Sequence, residues 1–186
     1  MAILAGDALL TRAFQIVAEM EDVDPGRQTA ILRELAQGAG TLEGMIGGQV
    51  ADLEAEGQPV EAGRLRYIHL AKTAAMIRAS VRIGGLFAGA TATQLEGLGF
   101  FGAQIGLAFQ IVDDVLDVTE SSAGLGKTAG KDAQQQKATY PALYGVERSR
   151  ELAGEAYARG VNALAAFGDH AGGLQQLARL IVDRHA

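Results

Sequence analysis

The stretch TQLEGLGFFGAQIGLAFQIVDDVLDV, residues 93–118, decides the fold. It has no turn chemistry and no strand alternation, and its apolar residues recur at helical spacing. Gly97, Gly99, Gly102 and Gly106 each lower intrinsic helix propensity by roughly 1 kcal/mol relative to Ala. A helix carrying so many glycines must be held by neighbours on several sides, so it is expected to run through the centre of a helical bundle. Its last turns change character. Gln110, Asp113, Asp114 and Asp117 stand at i, i+3, i+4 and i+7, which share one helical face.

The flanking sequence reads the same way. Apolar residues keep helical spacing and alternating β-branched runs are absent, which predicts one all-α domain over residues 1–186. The expected helices cover Ile3–Glu19, Pro25–Gln37 with Asp24 as N-cap, and Thr41–Ala55. One long helix is expected over Glu61–Gly89, where Gly84 and Gly85 suggest a kink or a close crossing. After the central helix, Thr119–Lys131 reads as a loop. Helical patterns resume at Thr139–Gly145, Arg148–Phe167 and Gly172–Arg184.

Composition excludes several classes. The 186 residues are 48% hydrophobic with a net charge of −6, which suits a packed core and gives no basic stripe for nucleic acid. No apolar run approaches the roughly 20 residues needed to span a membrane. No Lys or Arg precedes the apolar stretch of residues 1–10, which therefore does not read as a secretory signal. With no cysteine there is no disulfide, thiolate nucleophile or Cys-based zinc site, and the cytoplasm is the default compartment.

Three carboxylates on one face suggest a metal site, the alternative being a solvated acidic face. Two features favour the metal. No Lys or Arg occurs from Leu95 to Gly126, whereas exposed faces usually mix signs. Like charges at i, i+4 also cost roughly 0.2–0.5 kcal/mol per pair, a penalty a cation relieves. Oxygen-only donors point to a hard ion such as Mg²⁺, which needs one or two carboxylates plus substrate phosphates. Lys127, Lys131 and Lys137 follow on a Gly-rich segment, where cations would neutralise the rest of a diphosphate. Gly126-Lys127-Thr128 does not complete a P-loop: Ser121 stands where the first glycine is required, and a helix precedes the segment.

Phe109 to Asp117, Leu125 to Asp132 and Lys137-Ala138-Thr139-Tyr140-Pro141 together resemble the second aspartate-rich region of the trans-isoprenyl diphosphate synthases, the polyprenyl synthetase family. Residues 3–10, Gly47 to Leu53 and Lys72-Thr73 fall in that family's order, so the resemblance spans the chain. It implies the isoprenoid-synthase-type helical bundle and a Mg²⁺-dependent prenyltransferase. In that reaction an allylic diphosphate ionises as Mg²⁺ draws off its diphosphate, and isopentenyl diphosphate attacks head-to-tail. Carried over, Asp113 is the most direct metal ligand, with Asp114 and Asp117 in the same site through water or outer contacts. Lys72, Lys127 and Lys137 hold the allylic diphosphate. Gln110 and Thr73 stabilise charge near its C1 or position it, and Gln49, Asp52 and Asp132 support the arrangement.

The family's first aspartate-rich motif and its basic residues for isopentenyl diphosphate should precede a segment like residues 3–7, and no second DDxxD occurs. The expectation is an N-terminally truncated bundle carrying one jaw of a two-jawed site. Two assemblies follow: a homodimer, as the family usually forms, or a non-catalytic subunit of a heteromeric synthase. A class I terpene cyclase shares the DDxxD chemistry but would need an Asn/Asp, Ser, Glu triad downstream, and none is found after Asp117.

Overall fold

The computed structural model describes residues 1–59, 61–124 and 138–183. Among them there is no strand. The helices are α1 (Ala2–Ala18), α2 (Pro25–Ala39), α3 (Met45–Ala55), α4 (Ala62–His69), α5 (Ala75–Phe87), α6 (Ala92–Gly124), α7 (Tyr140–Tyr144), α8 (Val146–Asn162) and α9 (Gly172–Val182). A π turn, Leu70–Ala74, joins α4 to α5 without a break, and a 3₁₀ segment, Ala165–Ala171, precedes α9.

Helix α6 is the centre of the bundle. It packs along α5 and α8 and also touches α4, α7 and α9. The glycines make this possible. A Cβ on Gly97 would lie 2.7 Å from the Ala163 carbonyl, and one on Gly102 would lie 2.6 Å from Arg78 Cα. A Cβ on Gly106 would collide with the backbone of Ala74. Propensity is thus given up where backbones approach closely, and the contacts on several sides compensate.

Two apolar clusters grip α6 at its two ends. Leu98, Phe101 and Ile105 meet Leu164, Ala171 and Ala178, whereas Leu107, Ala108 and Ile111 meet Leu65, Tyr140, Ala153 and Ala156. A third cluster joins Val17 of α1 to Ile31 and Leu35 of α2. The first turns of α1 are uncovered: Ile3, Leu4 and Leu9 are exposed.

Several boundaries differ from the sequence expectation for local reasons. Helix α3 starts at Met45 rather than Thr41, because Glu43 takes a left-handed φ of 55° and Gly44 caps the helix in extended backbone. Helix α6 continues past Thr119 to Gly124, where a loop was expected. The Thr119 hydroxyl donates back to the Val115 carbonyl at 2.9 Å and so stays within the helix. The expected Arg148–Phe167 helix ends at Asn162, and Gly168 (φ 51°) interrupts the segment that follows.

Gly84 and Gly85 produce no kink. Gly85 marks the close crossing instead, since a Cβ there would lie 2.5 Å from Leu98 Cδ1, and the irregular turn falls upstream at Leu70–Ala74. Asp24 does cap α2, accepting from the Arg27 amide at 3.0 Å. One more expectation needs correction. Ala92–Thr119 is long and apolar enough by composition to span a membrane, with a mean hydropathy of 1.4 over its best window. More than half of that window is buried inside the bundle.

Candidate functional site

The site is built where α3, the π turn and α6 meet. In a π turn the backbone bonds to i+5 and takes in an extra residue, which locally redirects side chains. Lys72 and Thr73 occupy this turn, both half-buried. Gly48 of α3 sits directly against the backbone amide of Lys72, in a space no Cβ could share. Four residues on, and therefore on the same face, Asp52 reaches the Lys72 ammonium, with Nζ to Oδ2 at 2.6 Å. Gln49 is half-buried on the adjoining side of α3.

Helix α6 approaches the same turn from the other side. Gly106 abuts Ala74, so Gln110 stands about one turn further along α6 and Asp113 about two. Gln110 and Asp113 are half-buried, and Asp117 is exposed. Asp113 and Asp117 are one turn apart and share a face.

Asp114 departs from the expected stripe. It is buried at 7% exposure. Its Oδ2 accepts from the Tyr140 amide at 2.9 Å and lies 3.4 Å from His69 Nε2. The reason is angular: successive helical residues are about 100° apart, and α4 and α7 pack on the side to which Asp114 turns. The His69 and Tyr140 rings stack with centroids 5.2 Å apart and planes 15° apart. Burial holds the Tyr140 hydroxyl above its ordinary pKa of 10.0; the Arg66 charge opposes this, and Tyr144 and Asp114 add to it.

Lys127, Lys131, Asp132 and Lys137 lie outside the described residues. Among the described residues no three His, Asp or Glu side chains come together to hold a metal ion by themselves. Asp113 and Asp117 nonetheless suit Mg²⁺, since they are hard oxygen donors on one partly solvated face, and this ion keeps waters and takes substrate oxygens. Beside the π turn, a cleft of about 220 Å³ opens between Tyr67, Leu70, Ala74, Arg78 and Ala103.

Sequence reasoning named Lys72, Asp52, Gln110 and the aspartates as candidates, of which Lys72 and Asp52 are in contact, and passed over His69 and Gly48. The signal for His69 was present as a single imidazole between Ile68 and Leu70, three residues before Lys72. Gly48 was one of a pair, Gly47-Gly48, where nothing in the sequence tells a close approach from a flexible point.

An all-α bundle whose glycine-studded central helix carries aspartates beside a lysine-bearing turn agrees with the helical bundle that the resemblance implied. Comparison with known proteins gives the family. Residues 1–166 match Polyprenyl synthetase, and the chain belongs to that family. It is 46% identical to geranylgeranyl pyrophosphate synthase 11, chloroplastic, of Arabidopsis thaliana, over 100% of this chain and 53% of that protein. It is also 46% identical to farnesyl diphosphate synthase of Geobacillus stearothermophilus, over 81% of this chain and 51% of that one. Among solved structures, an FPP/GFPP synthase from Zymomonas mobilis superposes with a TM-score of 0.81 at 31% identity, covering 97% of this chain and 60% of the other. A Helicobacter pylori geranyltransferase complexed with magnesium and isoprenyl diphosphate gives 0.75 at 30%, covering 98% and 59%. The chain spans about half the length of the curated relatives it matches.

Proposed function

We propose that this chain forms the allylic-diphosphate half of a prenyltransferase active site, serving head-to-tail condensation with isopentenyl diphosphate. The observation that carries this reading is the Gly106–Ala74 contact, which sets α6, the helix of Gln110 and Asp113, against the π turn that holds Lys72. Asp113 and Asp117 would hold Mg²⁺, and Asp114 supports them from the buried side. When bound, Mg²⁺ supplies neutralisation of the diphosphate charge. Lys72 adds a cation whose direction is set by Asp52. Thr73 and Gln110 offer neutral dipoles for the carbon that becomes electron-poor as the diphosphate departs. Lys127 and Lys137 are proposed as further cations on the diphosphate, with Asp132 supporting them.

Titration calorimetry of a non-ionisable allylic diphosphate analogue tests the reading directly. Binding in Mg²⁺ that disappears with chelator is the expected result. No binding in Mg²⁺ overturns the proposal.

The second reading is a subunit that works only in association with another chain. Ile3, Leu4 and Leu9 on α1 favour it, as large apolar side chains left exposed on one helix. A relative 47% identical over 82% of this chain and 43% of its own length is named as the large subunit of a heterodimeric geranylgeranyl pyrophosphate synthase. Sedimentation of the purified chain separates self-association from a requirement for a different partner.

A further inference from the structure

The His69 imidazole stands where three segments meet, and nothing in the site as proposed uses it. It is 4% exposed and ends α4, immediately before the π turn that carries Lys72 and Thr73. Its Nε2 faces Asp114 Oδ2 of α6 at 3.4 Å. The same oxygen accepts the Tyr140 amide at 2.9 Å, and the Tyr140 ring stacks on the imidazole. One carboxylate oxygen therefore joins the element bearing Lys72, the helix bearing Gln110, Asp113 and Asp117, and the start of α7, three residues after Lys137.

We infer that His69 is a positioning residue: through Asp114 it fixes the rotation of α6 relative to the π turn, and so the placement of Asp113 and Asp117 opposite Lys72. The inference rests on the function proposed above.

The geometry makes the effect large. Helical side chains end about 5 Å from the helix axis, so a rotation of about 20° displaces a carboxylate by roughly 2 Å. A misplacement of about 1 Å already costs on the order of 10²-fold where groups must converge on a substrate. The glycine crossings leave this rotation weakly defined at the acidic end. Gly97, Gly102 and Gly106 set how close α6 comes to its neighbours, but all three lie upstream of Gln110 and present no side chain to interlock. Beyond Gly106 the side chains of Leu107, Ala108 and Ile111 give α6 a non-directional apolar seat. The polar contact to His69 and Tyr140 adds direction.

The test compares three chains: the unaltered protein, His69→Phe and His69→Gln. Phe keeps a ring to stack on Tyr140 but offers no N–H, whereas Gln keeps an amide donor at similar reach. Circular dichroism and thermal melting establish the folded fraction. Calorimetry with the allylic diphosphate analogue is then run across a series of Mg²⁺ concentrations. His69→Phe should bind about tenfold more weakly and need more Mg²⁺, as loss of an outer partner of a metal site does. His69→Gln should recover most of that affinity.

A purely structural imidazole predicts otherwise: His69→Phe would melt earlier, yet its folded fraction would bind with unaltered affinity and Mg²⁺ requirement. That result overturns the inference, as does equal impairment in the Phe and Gln variants. Should His69→Phe fail to fold, His69→Leu, which also offers no N–H, takes its place beside His69→Gln, with the same results supporting or overturning the inference. Failure of the unaltered chain to bind in Mg²⁺ is the separate signature that the underlying function is wrong.

Discussion

Asp52 and Lys72 meet at 2.6 Å across the junction of α3 and the π turn, with side chains 21% and 33% exposed. The contact exists because Gly48, one turn before Asp52, lets α3 lie on the backbone of Lys72. The pair is held by two features together, a missing Cβ and a carboxylate four residues later.

That pair predicts a measurable coupling. In urea unfolding, Asp52→Asn and Lys72→Met should each destabilise the chain. The double-mutant cycle should return a coupling of about 1 kcal/mol, the upper end for partly exposed pairs. A coupling indistinguishable from zero would show that the contact does not persist in solution.

Neighbouring aspartates should differ in what they cost. Asp113 is half-buried while Asp114 is buried, so Asp113→Asn should destabilise the chain less than Asp114→Ala. Asp114→Ala strips the acceptor from the Tyr140 amide and from His69, and should cost about 2 kcal/mol. At this chain length that is a drop of roughly 4–8 °C in melting temperature. Diphosphate-analogue binding should fall for Asp113→Asn in a fully folded protein. Equal melting temperatures for the two variants would contradict the assignment.

Glycines at crossings and glycines facing solvent should also separate. Gly106→Ala drives a Cβ into Ala74 and should cost about 1–3 kcal/mol. Gly154 lies within α8 with nothing near its Cβ position, and Gly154→Ala should stabilise by up to about 1 kcal/mol. Thermal melts of the two variants should shift in opposite directions.

Alkaline pH should weaken the fold through Tyr140. Burial raises its folded pKa above 10.0, so the unfolded chain loses the phenolic proton first. Above about pH 10 the unfolded state therefore binds fewer protons than the folded one, and stability falls as pH rises. The contribution is fully present below the unfolded value. Tyr140→Phe, which keeps the ring on His69, should melt with a shallower decline between pH 9 and 11 than the unaltered chain.

The sequence by itself determined the all-α class, the central placement of α6 and the order of its chemical groups. These follow from local rules: helical periodicity needs no knowledge of neighbours, and a glycine-rich helix has to be supported from outside. A family pattern of linked motifs marked Lys72, Gln110 and the aspartates as candidates for one site. Tertiary structure decided the rest. Which carboxylate faces inward depends on where α4 and α7 pack, because a helix presents Asp113 and Asp114 about 100° apart and periodicity alone does not say which side is covered. The same holds for the π turn at Leu70–Ala74, whose residues read as ordinary helix formers. Its extra residue belongs to the close packing of α3 and α6 around it, where Gly48 and Gly106 bring two backbones against one turn.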